Sequence, residues 1–174
     1  MIHPRFRLIL VGVFFVSAVL SFFNELGLAV SLTLLFTSLL LGIGHFKHGS
    51  VLSILIALKR GQIEKAESLL ASIKKPQWLT KRYQAYFHFS HSVIASFVND
   101  LDRSKIHAQK ALELKRLPEN EEGILLYNMA RVAFEKNDFE TCKEHLQQFE
   151  GKKIKDLHLK KRVQELSEHV SKNP

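Results

Sequence analysis

LYNMARVAFEKNDFETCKEHLQQF, residues 126–149, reads as two helices joined by a turn at Lys136-Asn137-Asp138. Asn137 supplies the left-handed backbone that ends a helix, and Asp138 follows as the cap of the next one. The same arrangement returns upstream. Ala57, Ala95 and Ala133 are spaced 38 residues apart, and so are Gly61, Asn99 and Asn137. Ile63, Leu101 and Phe139 share that step, as do the small residues Ala66, Ser104 and Cys142. Self-similarity of this length marks a stacked helical repeat.

Working outward, each unit divides into two helices. The expected spans are Ser50–Lys59 and Ile63–Lys74, then Lys81–Val98 and Asp102–Lys115, then Glu121–Glu135 and Phe139–Phe149. Pro76 and Pro118 end the first two units. Ile154–Val170 carries Leu159, Val163, Leu166 and Val170 at helical spacing behind Lys160, Lys161 and Arg162. It reads as the capping helix that closes a solenoid. At the other end, Val51–Leu58 is apolar all round. It must be covered by lipid, another segment, a partner or a second copy, so helix 51–58 is a candidate for homo-oligomer contact.

Ahead of the repeats lie 44 residues whose only charges are Arg5, Arg7 and Glu25. Leu8–Phe23 and Leu26–Phe46 are uncharged runs, too long for strands and unbroken enough for helices. They predict a membrane anchor over 1–46 with two transmembrane helices, about 6–23 and 26–46. Basic flanks around an acidic turn, Asn24-Glu25, place both ends in the cytoplasm by the positive-inside rule. A cleaved leader over 1–23 is the competing reading, although Ser21-Phe22-Phe23 is bulky for a cleavage site. Either route predicts an integral protein of a bacterial inner membrane with residues 47–174 as a cytoplasmic repeat domain. The expected fold is therefore all-α: a transmembrane helical hairpin, an α-solenoid of about three helix pairs, and a capping helix.

Charge supports an interaction protein over a nucleic-acid binder. The chain carries +8 with a pI near 9.6 and a mean hydropathy of −0.02. Residues 47–82 hold eight basic and two acidic side chains, beside the apolar region, which suits anionic lipid headgroups better than nucleic acid. The single cysteine, Cys142, rules out an internal disulfide and sits in the register of Ala66 and Ser104, where a small residue packs between helices.

Chemistry is sparse. His88 and His91 lie three apart, as do His45 and His48, but no Cys, Asp or Glu completes a metal set around either pair. No nucleophile motif or phosphate-binding glycine loop is present. The expectation is no enzyme, no cofactor and no metal.

The registers resemble the tetratricopeptide repeat family. Ala66, Leu70 and Ile73, then Ser104, Ala108 and Ala111, then Cys142, Leu146 and Phe149 fall at its second-helix positions. Ile54, Ser92 and Ala130, with Ala57, Ala95 and Ala133, fall in its first helix. The period of 38 exceeds the family's 34 by about one helical turn. The resemblance implies a TPR-like solenoid whose first helices line a concave groove. By register that surface includes Tyr86, Phe89, Val93, Phe97, Tyr127, Arg131 and Phe134, a surface for a protein or peptide partner. The implied function is a scaffold holding a partner at the membrane. The alternative is a structural or assembly subunit of a larger membrane complex.

Overall fold

The computed structural model describes residues 4–23, 28–48 and 50–172, with side chains described for 9–21, 29–40, 42 and 50–172. Among the described residues the fold is all-α, consistent with an α-solenoid. Its helices are α1 Pro4–Phe23, α2 Leu28–His48, α3 Val51–Lys59, α4 Ile63–Ala71, α5 Lys81–Phe97, α6 Leu101–Glu113, α7 Glu119–Glu135, α8 Phe139–Glu150 and α9 Leu157–Ser171, with a 3-10 turn at Pro76–Trp78.

The helices pack as pairs, α3 with α4, α5 with α6 and α7 with α8, and α9 closes against α7 and α8. The first helices also stack in sequence, α3 on α5, α5 on α7, and α7 on α9. The repeat registers explain this spacing. Ala57, Ala95 and Ala133 are buried, as are Ala66, Ser104 and Cys142, so each pair meets through small side chains. At the turns, Gly61, Asn99 and Asn137 adopt φ of 69°, 58° and 58°, the left-handed backbone expected there. The carboxylates of Asp100 and Asp138 accept from the amides of Arg103 and Thr141, capping α6 and α8.

Two apolar clusters result. One joins Val51, Ile54, Leu70, Phe87 and Ile94 of the first two units to Leu125 of α7. The other joins Leu126, Cys142, Leu146, Phe149, Leu159 and Val163 across the third unit and α9. Some boundaries differ from expectation. α4 ends at Ala71 rather than Lys74, because the chain turns before the 3-10 segment that Pro76 starts. Ile154 lies outside α9: Asp156 caps that helix through the amide of Leu159, and the buried Ile154 side chain packs over Gly123 instead.

The N-terminal region requires a correction. α1 and α2 pack against each other, and Ser38 Oγ on α2 donates to the carbonyl of Val11 on α1 at 3.1 Å. Thr33 and Thr37 bond carbonyls of their own helix. No helix among the described residues is long and apolar enough to cross a membrane. Arg5 and Arg7 fall inside α1, which leaves 16 uncharged residues, Leu8–Phe23. α2, described from Leu28, meets His45 after 17 residues. A hydrocarbon core about 30 Å thick calls for about 20. The two-span anchor at 6–23 and 26–46, the inner-membrane placement and the cytoplasmic orientation derived from it are overturned. The turn Asn24-Glu25 lies outside the described residues.

Candidate interaction groove

The stacked first helices leave an open trough of about 610 Å³. Its floor and walls come from Leu52, Leu55, Ile56 and Lys59 of α3, then Tyr86, Phe89, Val93 and Phe97 of α5. α7 contributes Glu121, Ile124, Tyr127, Asn128 and Arg131, and the last wall is Asp156, His158, Leu159 and Arg162. These residues recur at three- and four-residue steps along each helix, the spacing that keeps them on one face.

Six of the seven side chains expected at a groove line this trough: Tyr86, Phe89, Val93, Phe97, Tyr127 and Arg131. They differ in depth. Tyr86, Phe89 and Tyr127 are buried and form the floor, with the Tyr86 and Phe89 rings edge to face at 6.4 Å. Phe97 is 68% exposed at the rim and Leu52 48%. Phe134, placed on the same surface by register, does not line the trough. Its ring meets Phe139 and His169 at the far end of α7.

Arg131 is the best-fixed polar group. Its Nη2 donates to the carbonyl of Ser96 on α5 at 3.2 Å, and Ser96 Oγ donates to Asn128 Oδ1 at 3.4 Å. Its Nε lies 3.4 Å from Glu135 Oε1, close enough for ionic attraction but without hydrogen-bond geometry, so that buried N–H has no hydrogen-bond acceptor among the described residues. On the opposite wall the Arg162 guanidinium sits 4.8 Å over the Tyr127 ring, a cation–π contact. The contribution of α3 and α9 to the trough was not visible in the second and third repeats alone. The apolar all-round character of 51–58 was the one signal, since the side that does not pack inward had to face something.

A second polar cluster lies between α5 and α6. His88 and His91 are joined by His107, whose partnership depends on helix pairing and escapes a search by spacing. His88 Nδ1 and His107 Nδ1 are 3.0 Å apart, and the His91 and His107 rings stack at 4.4 Å. Arg103 Nη2 donates to His91 Nδ1 at 3.1 Å. Phe87 closes the cluster edge-on, 4.6 Å from His91. Burial, then the neighbouring imidazoles and Arg103, push His91 down to about 4. His107 is likewise pushed down to about 4 by burial, with His88, Lys110 and Arg103 adding to it. Burial and then Lys110 lower His88. Among the described residues no group of His, Cys, Asp and Glu is arranged to hold a metal ion. Cys142 is buried, and burial raises its thiol pKa, which suits packing and not nucleophilic chemistry.

No protein-family model matches the chain, and neither the curated proteins nor the solved structures give a match. Membership of the tetratricopeptide family, expected from the repeat registers, is thereby overturned; the all-helical architecture stands on its own packing.

Proposed function

We propose that this chain is a non-enzymatic interaction scaffold whose trough holds an amphipathic segment of a partner protein. The observation that supports this reading is the trough itself. An open apolar channel lined by Leu52, Leu55, Phe89, Val93 and Phe97, with a few fixed polar groups at its edges, has the make-up of a peptide-in-groove site. Phe97 and Leu52 leave large apolar area exposed, and such exposure clustered in a concavity marks a binding face. Aromatic and Arg side chains, here Tyr127 and Arg131, are the types that dominate recognition energy.

Display selection provides the test. The full chain is immobilised and challenged with a phage library of helical peptides of about 16 residues, roughly four turns. Leu is fixed at positions i, i+4, i+7 and i+11 and the rest are randomised. The reading expects enriched peptides that lose binding to a chain carrying Phe97→Ser and Leu52→Ser, exposed sites where truncation leaves the core intact. Equal enrichment on the variant, or none on either chain, overturns it.

A second reading rests on a separate observation. Ile9, Phe15, Leu32, Phe36, Leu39 and Leu40 each expose more than half their area on the outer faces of α1 and α2. That supports a permanent subunit of a larger assembly, in which α1 and α2 are covered by other chains. Native mass measurement separates the two: a scaffold is released as a single chain, whereas a subunit stays in a complex of fixed stoichiometry.

A further inference from the structure

We infer that the segment held in the trough is a helix with charges of opposite sign on its two flanks: an acidic flank over Lys59 and Arg131, and a basic flank over Glu121 and Asp156. This rests on the groove reading and specifies the partner's chemistry.

The first helices run side by side in the same direction. Arg131, in the last turns of α7, bonds Ser96 near the end of α5. At the opposite end Asn120 Oδ1 accepts from the amide of Lys155, which ties the start of α7 to the start of α9. The contact between Phe134 and His169 ties the ends of the same two helices. One long edge of the trough is therefore made of helix C-termini and the other of helix N-termini.

Four of the charged lining residues sort by edge, and the fifth, Arg162, is drawn over the Tyr127 ring between the rims. Lys59 is the last residue of α3, and Arg131 lies one turn from the end of α7. Glu121 is in the first turn of α7, and Asp156 is the N-cap of α9. Helix dipoles favour basic side chains at C-termini and acidic ones at N-termini, so a row of parallel helices generates opposed rims as a matter of course. Within the described residues neither Lys59 nor Glu121 is in a salt bridge. Arg131 is ion-paired with Glu135 through Nε and donates to Ser96 through Nη2, so it adds fixed charge to the rim and Lys59 adds the exposed cation. Between the rims lie Leu55, Phe89, Val93, Ile124 and Tyr127, where an apolar stripe would seat.

Length points to a helix. Four stacked helices at about 8–10 Å spacing make a trough about 24–30 Å long. A helix of about 16–20 residues covers that distance at about 1.5 Å per residue. Charges at such rims set orientation and partner choice more than raw affinity.

The library selection carries the test. Peptides selected on the native chain should carry Asp or Glu on one flank of the Leu stripe and Lys or Arg on the other. Selection on a chain with Lys59→Glu and Arg131→Glu should return Lys or Arg on both flanks. Lys59→Glu alone, at an exposed residue, should weaken a peptide selected on the native chain by about threefold to tenfold and should serve if the double variant fails to fold. Enriched peptides with no flank preference, or with one sign throughout, would overturn the charge assignment and leave the groove reading standing. An unchanged pattern on the charge-reversed chains would do the same. Absence of any enriched peptide would overturn both.

Discussion

Acid should unfold this chain earlier than its carboxylates alone require, and the cause is the imidazole cluster of His88, His91 and His107. His91 and His107 are held near 4 in the folded chain, against about 6.5 when unfolded. The unfolded chain therefore binds more protons between those values. Stability from the cluster is complete above about pH 7 and is lost as the pH falls toward 4, at about 1.4 kcal/mol per pH unit for each proton taken up. A ring held from 6.5 to 4 has a ceiling of about 3.4 kcal/mol. Both rings are partly exposed to solvent, which screens the like charges of Arg103 and Lys110, so about 1 kcal/mol each, or about 2 kcal/mol for the pair, is the working figure. The assay is urea unfolding of the full chain, followed by helical circular dichroism at several pH values between 8 and 4. A His91→Gln, His107→Gln chain serves as the reference, because its carboxylates and His88 still titrate and cancel in the difference. The native chain should lose about 2 kcal/mol more than the variant over this range. Parallel curves would refute the reasoning and show that the rings accept protons without strain.

Other substitutions test the packing. Ile54 is fully buried between α3 and its neighbours, so Ile54→Ala should cost about 2–5 kcal/mol in urea unfolding. Asn137 sits at φ 58°, so Asn137→Ala should cost about 1–2 kcal/mol while Asn137→Gly should be tolerated, a contrast that melting temperatures will resolve. Gly123→Ala would place a Cβ 2.5 Å from Ile154 Cδ1 and 3.1 Å from Phe149 Cε2. Because the nearest atom is the end of a movable side chain, the cost should be about 1 kcal/mol, and adding Ile154→Val should relieve it in a double-mutant cycle.

The periodic features were legible in the sequence. Ala57, Ala95 and Ala133 had to be buried, and Gly61, Asn99 and Asn137 had to turn left-handed, because a repeat places equivalent residues in equivalent surroundings. The trough residues of α5 and α7 followed from the same registers. What required pairing between distant segments was not legible. His107 joins His91 only because α6 lies along α5, Arg162 reaches Tyr127 only because α9 stacks on α7, and Ile154 fills the space that Gly123 leaves. Residues 1–46 misled for a different reason. An uncharged run in a sequence has no helix boundaries; in α1 it follows Arg5 and Arg7 and stays at 16 residues, and in α2 it reaches His45 after 17, both short of about 20.

Methyl NMR of the full chain, titrated with the best selected peptide, tests the central claim most directly. The groove account predicts that the largest shifts fall on Leu52, Leu55, Val93, Ile124 and Leu159, with Leu69, Ile106 and Leu112 on the second helices nearly unmoved. Shifts concentrated on Leu69, Ile106 and Leu112, or on α1 and α2, would contradict it and place the binding face elsewhere on the chain.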